Sequence, residues 1–238
     1  MFNVGWLNVS GGLIRAGEDM EEPVRLPVSA FVIETGDERI LVDTGLHPEA
    51  VADADGFYGM EHAVGPFSLE QEQSIADQID TSTLTKVVLT HMHWDHVGGL
   101  RLIPESVPLV IQRVEWQAGG DEAAVQRNFF QPSDYSGTDR PVVEVDGDHD
   151  LLGDGSVMLL FTPGHTPGHQ SVQAGNLILA GDVVHYSPGL DDHRFPLFGD
   201  DLDAQGRSAE RLAALRDSGK VVVPTHDPAT HRPGPLAV

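Results

Sequence analysis

The sequence predicts an α/β protein in which strands and helices form an α+β layered sandwich. Three observations support this fold class. Short apolar runs typical of strands occur in two clusters along the chain, and helix-like segments lie between them. The chain also has no linker, internal repeat or low-complexity segment that would divide it. We therefore expect residues 1–238 to form a single domain.

The first cluster begins with a hairpin. Residues 28–34 and 39–42 are β-rich runs separated by a turn signal, so we expect two antiparallel strands. Residues 47–67 show no regular pattern and form a long connection, which makes them a candidate substrate lid. Residues 68–71 resemble a capping box, and two isoleucines follow one helical turn apart, so residues 68–79 are predicted to be a helix.

The rest of the chain alternates short strands with helices. A short helix is expected near Trp116, and a later helix is expected to be capped by Ser208. The predicted strands are residues 84–90, 108–112, 141–145, 157–161, 171–174, 177–180 and 220–223.

The charge of the chain excludes several classes of partner. Fourteen Lys and Arg residues against 37 Asp and Glu residues give a formal net charge of −23, which repels nucleic acid and anionic membranes. A solvated surface is the simplest role of this acid excess. The sequence shows no signal peptide and no apolar run long enough to span a membrane. We expect a cytoplasmic protein with a small-molecule substrate; the oligomeric state stays open, with a homodimer as one option.

The strongest chemical signal is the sequence His-Met-His-Trp-Asp-His at residues 91–96, between a predicted strand and a Gly-Gly pair. Two imidazoles two residues apart, followed by a carboxylate-imidazole pair, can serve two adjacent metal ions from one loop. The chain has no cysteine, so any metal must be held by histidines and carboxylates.

Further candidate ligands follow the ends of predicted strands, which are rigid anchors: His165, Asp182 and His226. Alone, each signal is weak, because a single histidine is more often a surface or core residue. Two nearby residues have two open interpretations each. His169 either orients a ligand or stabilises its loop, and Asp43 either supports a ligating histidine or turns the chain after its strand.

This order of residues, H-x-H-x-D-H followed by His, Asp and His, resembles the metallo-β-lactamase superfamily. The resemblance implies an αββα metallo-β-lactamase sandwich, with the site at one edge of two sheets. It implies a first metal held by His91, His93 and His165. It implies a second metal held by Asp95, His96 and His226, with Asp182 bridging both. We expect both divalent ions to be zinc, but such a ligand set also accepts iron, manganese or cobalt.

Several branches of that superfamily fit poorly. The main group of zinc β-lactamases has a cysteine where Asp182 stands, and flavodiiron proteins have a glutamate at the position of His93. Glyoxalase II enzymes add a helical domain for which this chain has no room. The sequence instead resembles the N-acyl homoserine lactonases, at residues 41–45, 110–116 and 162–171 and at the pair His226-Asp227. An aromatic residue also stands in the middle of their histidine cluster, here Trp94.

The lactonase resemblance implies a mechanism. Two divalent ions about 3.5 Å apart lower the pKa of a shared water toward about 7, so that a bridging hydroxide can attack the ring carbonyl. Asp95 would relay the proton. The chain departs from the lactonases three residues after Asp182, where they usually have a tyrosine that contacts the substrate carbonyl. His185 stands there and could donate a hydrogen bond to the oxyanion instead.

The sequence leaves more than one interpretation open for the substrate contacts and for the reaction. Four residues either form an apolar slot for an acyl chain or pack in the core: Phe57, Tyr58, Met60 and Trp94. A second hypothesis is a hydrolase of the same fold that acts on an aryl ester, an organophosphate triester or a β-lactam, because the metal site does not choose among electrophiles. A third is a metal-binding ligand sensor without catalytic activity.

Overall fold

The computed structural model describes residues 1–58 and 67–236. The strands in these two ranges are β1 Phe2–Ser10, β2 Pro23–Thr35, β3 Glu38–Val42, β4 Ser68–Glu70, β5 Lys86–Val88, β6 Leu109–Gln112, β7 Val142–Val145, β8 His149–Asp150, β9 Val157–Phe161, β10 Gln170–Ala174, β11 Leu177–Gly181 and β12 Val221–Pro224. The α-helices there are α1 Gly11–Ile14, α2 Pro48–Ala52, α3 Ala54–Tyr58, α4 Ile75–Gln78, α5 Trp94–Val97, α6 Arg113–Gly120, α7 Glu122–Arg127, α8 Pro132–Tyr135, α9 Gly189–Asp192 and α10 Leu202–Asp217. Short 3₁₀ helices cover Thr81–Thr83 and Gly98–Leu102.

Within the described ranges the strands form two sheets. The first has seven strands in the order β4-β1-β2-β3-β5-β6-β7, and the second has five in the order β12-β11-β10-β9-β8. In the first sheet β3, β5, β6 and β7 are parallel, and in the second β11 and β12 are parallel. Parallel strands need both faces covered, so this topology requires helices outside each sheet.

The apolar residues alternate between the inner and outer faces of each sheet. In β3, Val42 packs between the two sheets, whereas Leu41 faces the helices outside the first sheet. In β9, Leu159 packs between the sheets and Leu160 faces α9 and α10. Successive side chains of a strand point to opposite faces, so both faces of each sheet are buried. The layers are therefore helix, sheet, sheet, helix, and the predicted αββα sandwich is confirmed.

Most predicted strands are confirmed to within a few residues, including the hairpin of β2 and β3. Strand β1 was not predicted. It contains Gly5, at a register shift in its pairing with β2, and Asn3 and Asn8, so its apolar alternation is interrupted. It forms nonetheless because it lies between β4 and β2 and pairs with both.

Two helix predictions are wrong. Residues 68–79 do not form one helix, because Ser68–Glu70 pairs with β1 as strand β4. The capping box is at Ser74 and Asp77 instead, and starts only the short α4. The last helix is longer than predicted and is capped by Asp201, which accepts a hydrogen bond from the N–H of Ala204. Ser208 lies inside it and donates to the carbonyl of Pro163.

The candidate lid at residues 47–67 is partly regular, because α2 and α3 occupy most of its first half. Residues 59–66 lie outside the described part of the chain. Within residues 1–58 and 67–236 the structure contains no helix that is both long enough and apolar enough to cross a membrane.

Candidate metal centre

The chemically important side chains meet where several strands end. His91 follows β5 in the first sheet, and His165, Asp182 and His226 follow β9, β11 and β12 in the second. Strands β9, β11 and β12 run in the same direction, so their carboxyl ends lie at one edge. The structure thus brings all seven predicted ligands together, from loops that are up to 135 residues apart, between residue 91 and residue 226.

The first set is His91, His93 and His165, which are all buried. The Nε2 atom of His91 lies 3.0 Å from Nδ1 of His93, and Nε2 of His165 lies 2.9 Å from the same atom. The Nε2–H of His93 donates to the carbonyl of Asn128 at 2.8 Å, so its Nδ1 carries no proton when the ring is neutral.

The hydrogen-bond partners of His91 show that its Nε2 also carries no proton when the ring is neutral. The hydroxyl of Thr90 donates to Asp43 and accepts from Nδ1–H of His91 at 3.0 Å. Nε2 of His91 and Nδ1 of His93 therefore face each other as lone pairs. Facing lone pairs repel unless a cation lies among them, so this set fits a metal ion.

The second set is Asp95, His96 and His226. Nε2 of His226 lies 3.3 Å from Nε2 of His96 and 3.2 Å from Oδ2 of Asp95. The outward Nδ1–H of His96 donates to Asp43 at 2.8 Å, and that of His226 donates to the carbonyl of Pro27 at 2.8 Å. In both rings, Nε2 is left to hold a proton or a metal ion.

Asp182 lies between the two sets. Its Oδ2 is 3.6 Å from Nε2 of His165 and 3.3 Å from Nε2 of His226, and its Oδ1 is 3.4 Å from Nε2 of His96. The predicted bridging position is therefore geometrically available to this carboxylate.

The electrostatics of the centre suit a cation. Burial lowers the pKa of His91 and of His165 well below the usual value, which keeps these rings neutral and able to coordinate. Burial alone would also lower the pKa of His226, but the carboxylates of Asp182 and Asp95 override it and raise that pKa to about 10. The same carboxylates attract a divalent ion, and ligands release their protons when metal binds.

The structure shows which contacts His169 and Asp43 make, the two residues for which the sequence left two interpretations open. His169 does both things considered for it: its Nδ1 contacts the carbonyl of Thr162 in its own loop, and its Nε2 accepts from the backbone N–H of Asp182 at 2.9 Å. Asp43 also does both, since it accepts from His96 and adopts a left-handed φ of 57° where the chain turns.

An apolar pocket with a cavity volume of about 80 Å³ leads down to the centre. Its floor consists of His93, Asp95, His165, Asp182 and His185. Its walls are Leu7, Val9, Leu13, Ile14, Phe67, Trp94, Phe129 and Phe198. Polar groups at the base of an apolar pocket suit a small molecule with a polar head and an apolar tail.

The predicted substrate contacts are only partly where they were expected. Trp94 lines the pocket, but Phe57 and Tyr58 do not. Phe57 stacks on His47, and Tyr58 packs behind Trp94, with ring centroids 5.9 Å apart. Both belong to the packing on the outer side of the first sheet. Met60 lies outside the described residues. Sequence reasoning missed most of the wall, because β1 and α1 were not recognised as elements.

His185 lies on the floor of the pocket, with 6% of its surface exposed. Its Nε2 is 3.2 Å from Oδ2 of Asp182, and its ring stacks on His226 with centroids 5.2 Å apart. Burial lowers the pKa of His185 to about 4, so its ring is neutral. Its position suits either a hydrogen-bond donor to a bound substrate or a further ligand, since it lies within reach of the same centre.

The hydroxyl of Tyr58 donates to a buried carboxylate, Asp134, at 3.0 Å. Burial raises the pKa of Asp134 from its ordinary value of 3.8 to about 7, so the folded protein loses stability as the pH rises between these two values. Asp134→Asn should therefore increase the free energy of unfolding more at pH 8 than at pH 5, by about 2 kcal/mol. Urea unfolding of both proteins at the two pH values measures this. An equal difference at both would contradict it.

Comparison with known proteins identifies sequence relatives. A model of the metallo-beta-lactamase superfamily matches residues 23–226. The N-acyl homoserine lactonase AiiA of Bacillus thuringiensis subsp. kurstaki is 27% identical over 212 residues, which cover 84% of this chain and 80% of that protein. The N-acyl homoserine lactonase AttM of Azorhizobium caulinodans is 29% identical over 224 residues, which cover 85% of this chain and 82% of that protein.

Solved structures agree with the fold. An N-acyl homoserine lactone hydrolase with N-hexanoyl-L-homoserine bound at its catalytic metal center superposes with a TM-score of 0.83 at 23% identity, over 96% of this chain and 92% of that one. The dizinc quorum-quenching lactonase AidC gives a TM-score of 0.69 at 16% identity, over 95% of this chain and 86% of that one. At these identities the likeness shows the fold alone.

Proposed function

Because the chain belongs to the metallo-β-lactamase superfamily, we propose that it is a metal-dependent lactonase that opens N-acyl homoserine lactones, an activity that would make it quorum-quenching. One observation carries the proposal: an apolar pocket ends directly on two adjacent sets of buried metal-ligand atoms. The names of its relatives, N-acyl homoserine lactonases, support the choice of substrate.

The proposed site holds two divalent ions, with zinc as the expected metal. The first would be bound by His91, His93 and His165 and the second by Asp95, His96 and His226, with Asp182 shared. Two such ions make a water acidic enough to ionise at neutral pH and polarise a carbonyl. A dizinc lactonase of the same fold is consistent with this choice of metal.

The residues around the site have distinct tasks in this proposal. The apolar wall receives the acyl chain and excludes water, which strengthens electrostatic interactions at the floor. Asp95 borders the floor and would relay a proton from the attacking water to the ring oxygen that leaves as the ring opens. His185 is neutral, and an N–H on its Nε2 can donate to the carbonyl oxygen of a substrate placed beside Asp182.

The substrate proposal predicts a clear ranking of activities. Hydrolysis of N-acyl homoserine lactones, followed with a pH indicator, should show a kcat/KM that rises with acyl length until the pocket is filled, because each buried methylene contributes about 0.8 kcal/mol. Nitrocefin should be turned over much more slowly, and nucleic acids should not be cleaved by this acidic protein.

Parallel assays with nitrophenyl acetate and paraoxon separate the alternatives. A preference for either compound over all lactones would replace the lactonase by an esterase or an organophosphate hydrolase. Metal-replete protein that is inactive on the whole panel would favour a ligand sensor.

A further inference from the structure

Glu115 is a buried carboxylate that contacts no substrate and belongs to neither proposed ligand set. It lies in the first turn of α6 and has no exposed surface. Its Oε1 accepts a hydrogen bond from the backbone N–H of Met92 at 2.9 Å, and its Oε2 accepts one from the N–H of Gly168 at 2.7 Å. Burial raises the pKa of Glu115 to about 7, so the fold tolerates a desolvation cost at this position.

The two donors lie in the two loops that supply the first set. Met92 stands between His91 and His93, in the loop after β5 of the first sheet. Gly168 is three residues beyond His165, in the loop between β9 and β10 of the second sheet. One side chain therefore connects loops of different sheets beside the point where their histidines converge.

The loop between β9 and β10 lies close to the start of α6. A Cβ atom on Gly168 would lie 2.4 Å from the backbone nitrogen of Glu115, so the loop can come this near only with glycine there. With this loop packed against α6, the Glu115 carboxylate reaches the N–H of Gly168 on one side and that of Met92 on the other.

The second set has separate supports. His96 donates to Asp43, and His226 donates to the carbonyl of Pro27. Neither contact involves Glu115. A change at Glu115 should therefore affect the two sets unequally.

We propose that Glu115 is a positioning residue that fixes the spacing of His91 and His93 relative to His165, and so sets the affinity of the first metal position. The inference rests on the two-ion site proposed above. Glu115 acts only through the two loops and takes no part in the reaction itself.

The test is a zinc titration of metal-free protein in competition with a chromophoric chelator. Glu115→Gln keeps the size of the side chain, but its NH₂ group faces one of the two N–H donors, so one bridge is lost. We expect one of the two binding steps to weaken by about 10- to 100-fold while the other is unchanged. The matched control is Asp134→Asn, which alters another buried carboxylate with a pKa raised to about 7 and should leave both steps unchanged.

A purely structural role would lower the melting temperature without a step-specific change in affinity. Equal weakening of both steps, or no weakening, in a variant that folds would overturn the inference while the two-ion site stands. Wild-type protein that binds no zinc would overturn both. Glu115→Asp is the second variant: it keeps the charge but is one methylene shorter, so it cannot reach both N–H groups and should show the same selective loss.

Discussion

Asp182→Ala should remove bound metal and lactone-opening activity together. The carboxylate lies within 3.6 Å of nitrogen atoms from both ligand sets. Replacement of a supporting residue around a metal typically costs about 10- to 100-fold in affinity, so loss of a bridging ligand should exceed about a hundredfold. Zinc content per chain after gel filtration, and kcat/KM for the best lactone, measure the two losses.

The exposed Asp139 provides the control, because Asp139→Ala removes the same charge from the surface. That variant should keep its metal and its activity. An Asp182→Ala protein that still carries two zinc ions per chain would show that this carboxylate is not shared between the two positions. Asp182→Asn, which keeps the shape but not the charge, should lie between wild type and alanine.

His185→Ala should lower kcat by about a hundredfold while zinc content stays the same. The side chain lies on the pocket floor, its ring is neutral because burial lowers its pKa to about 4, and its Nε2 faces the centre beside Asp182. A neutral donor can stabilise charge that develops on a carbonyl oxygen without adding a further positive charge to the site. Steady-state kinetics with one lactone, together with metal analysis of the same samples, test this.

The variant His185→Tyr tests whether a phenol can replace the imidazole, because the lactonases that the sequence resembles usually have a tyrosine three residues after the bridging aspartate. It should preserve or improve lactone opening if a phenol can donate from the same place. A kinetically silent His185→Ala would make the residue a bystander. Loss of one zinc ion in that variant would make His185 a ligand, an outcome its distance to Asp182 allows.

The fold and the grouping of the candidate ligands could be predicted because they depend on short signals. Short apolar runs marked most strands, and the motif at residues 91–96 needs only a preceding strand to form a compact loop. The positions of His165 and His226 could also be predicted, because each lies in the loop after a strand whose end is a rigid anchor.

The pocket wall could not be predicted in this way. It uses β1, whose pattern is interrupted by Gly5, and α1, which is only four residues long. It also uses Phe129, whose φ of 55° lies in a region that bulky residues rarely adopt. The role of Glu115 could not be predicted either, because nothing in its local sequence shows that this glutamate accepts hydrogen bonds from two loops far apart in the chain.

One part of the pocket wall comes from an N-terminal segment that is far from the floor residues in the sequence. Leu7 and Leu13 are more than 75 residues before the first histidine of the floor, His93, and neither belongs to the ligand sets. A substitution at either leucine therefore changes the shape of the wall without removing a proposed metal ligand. Substitutions at residues 7–14 can therefore change the size of the substrate that the pocket accepts while the proposed metal ligands stay the same. This separation makes the N-terminal segment a natural place for selection, or for a directed library, to broaden the range of substrates.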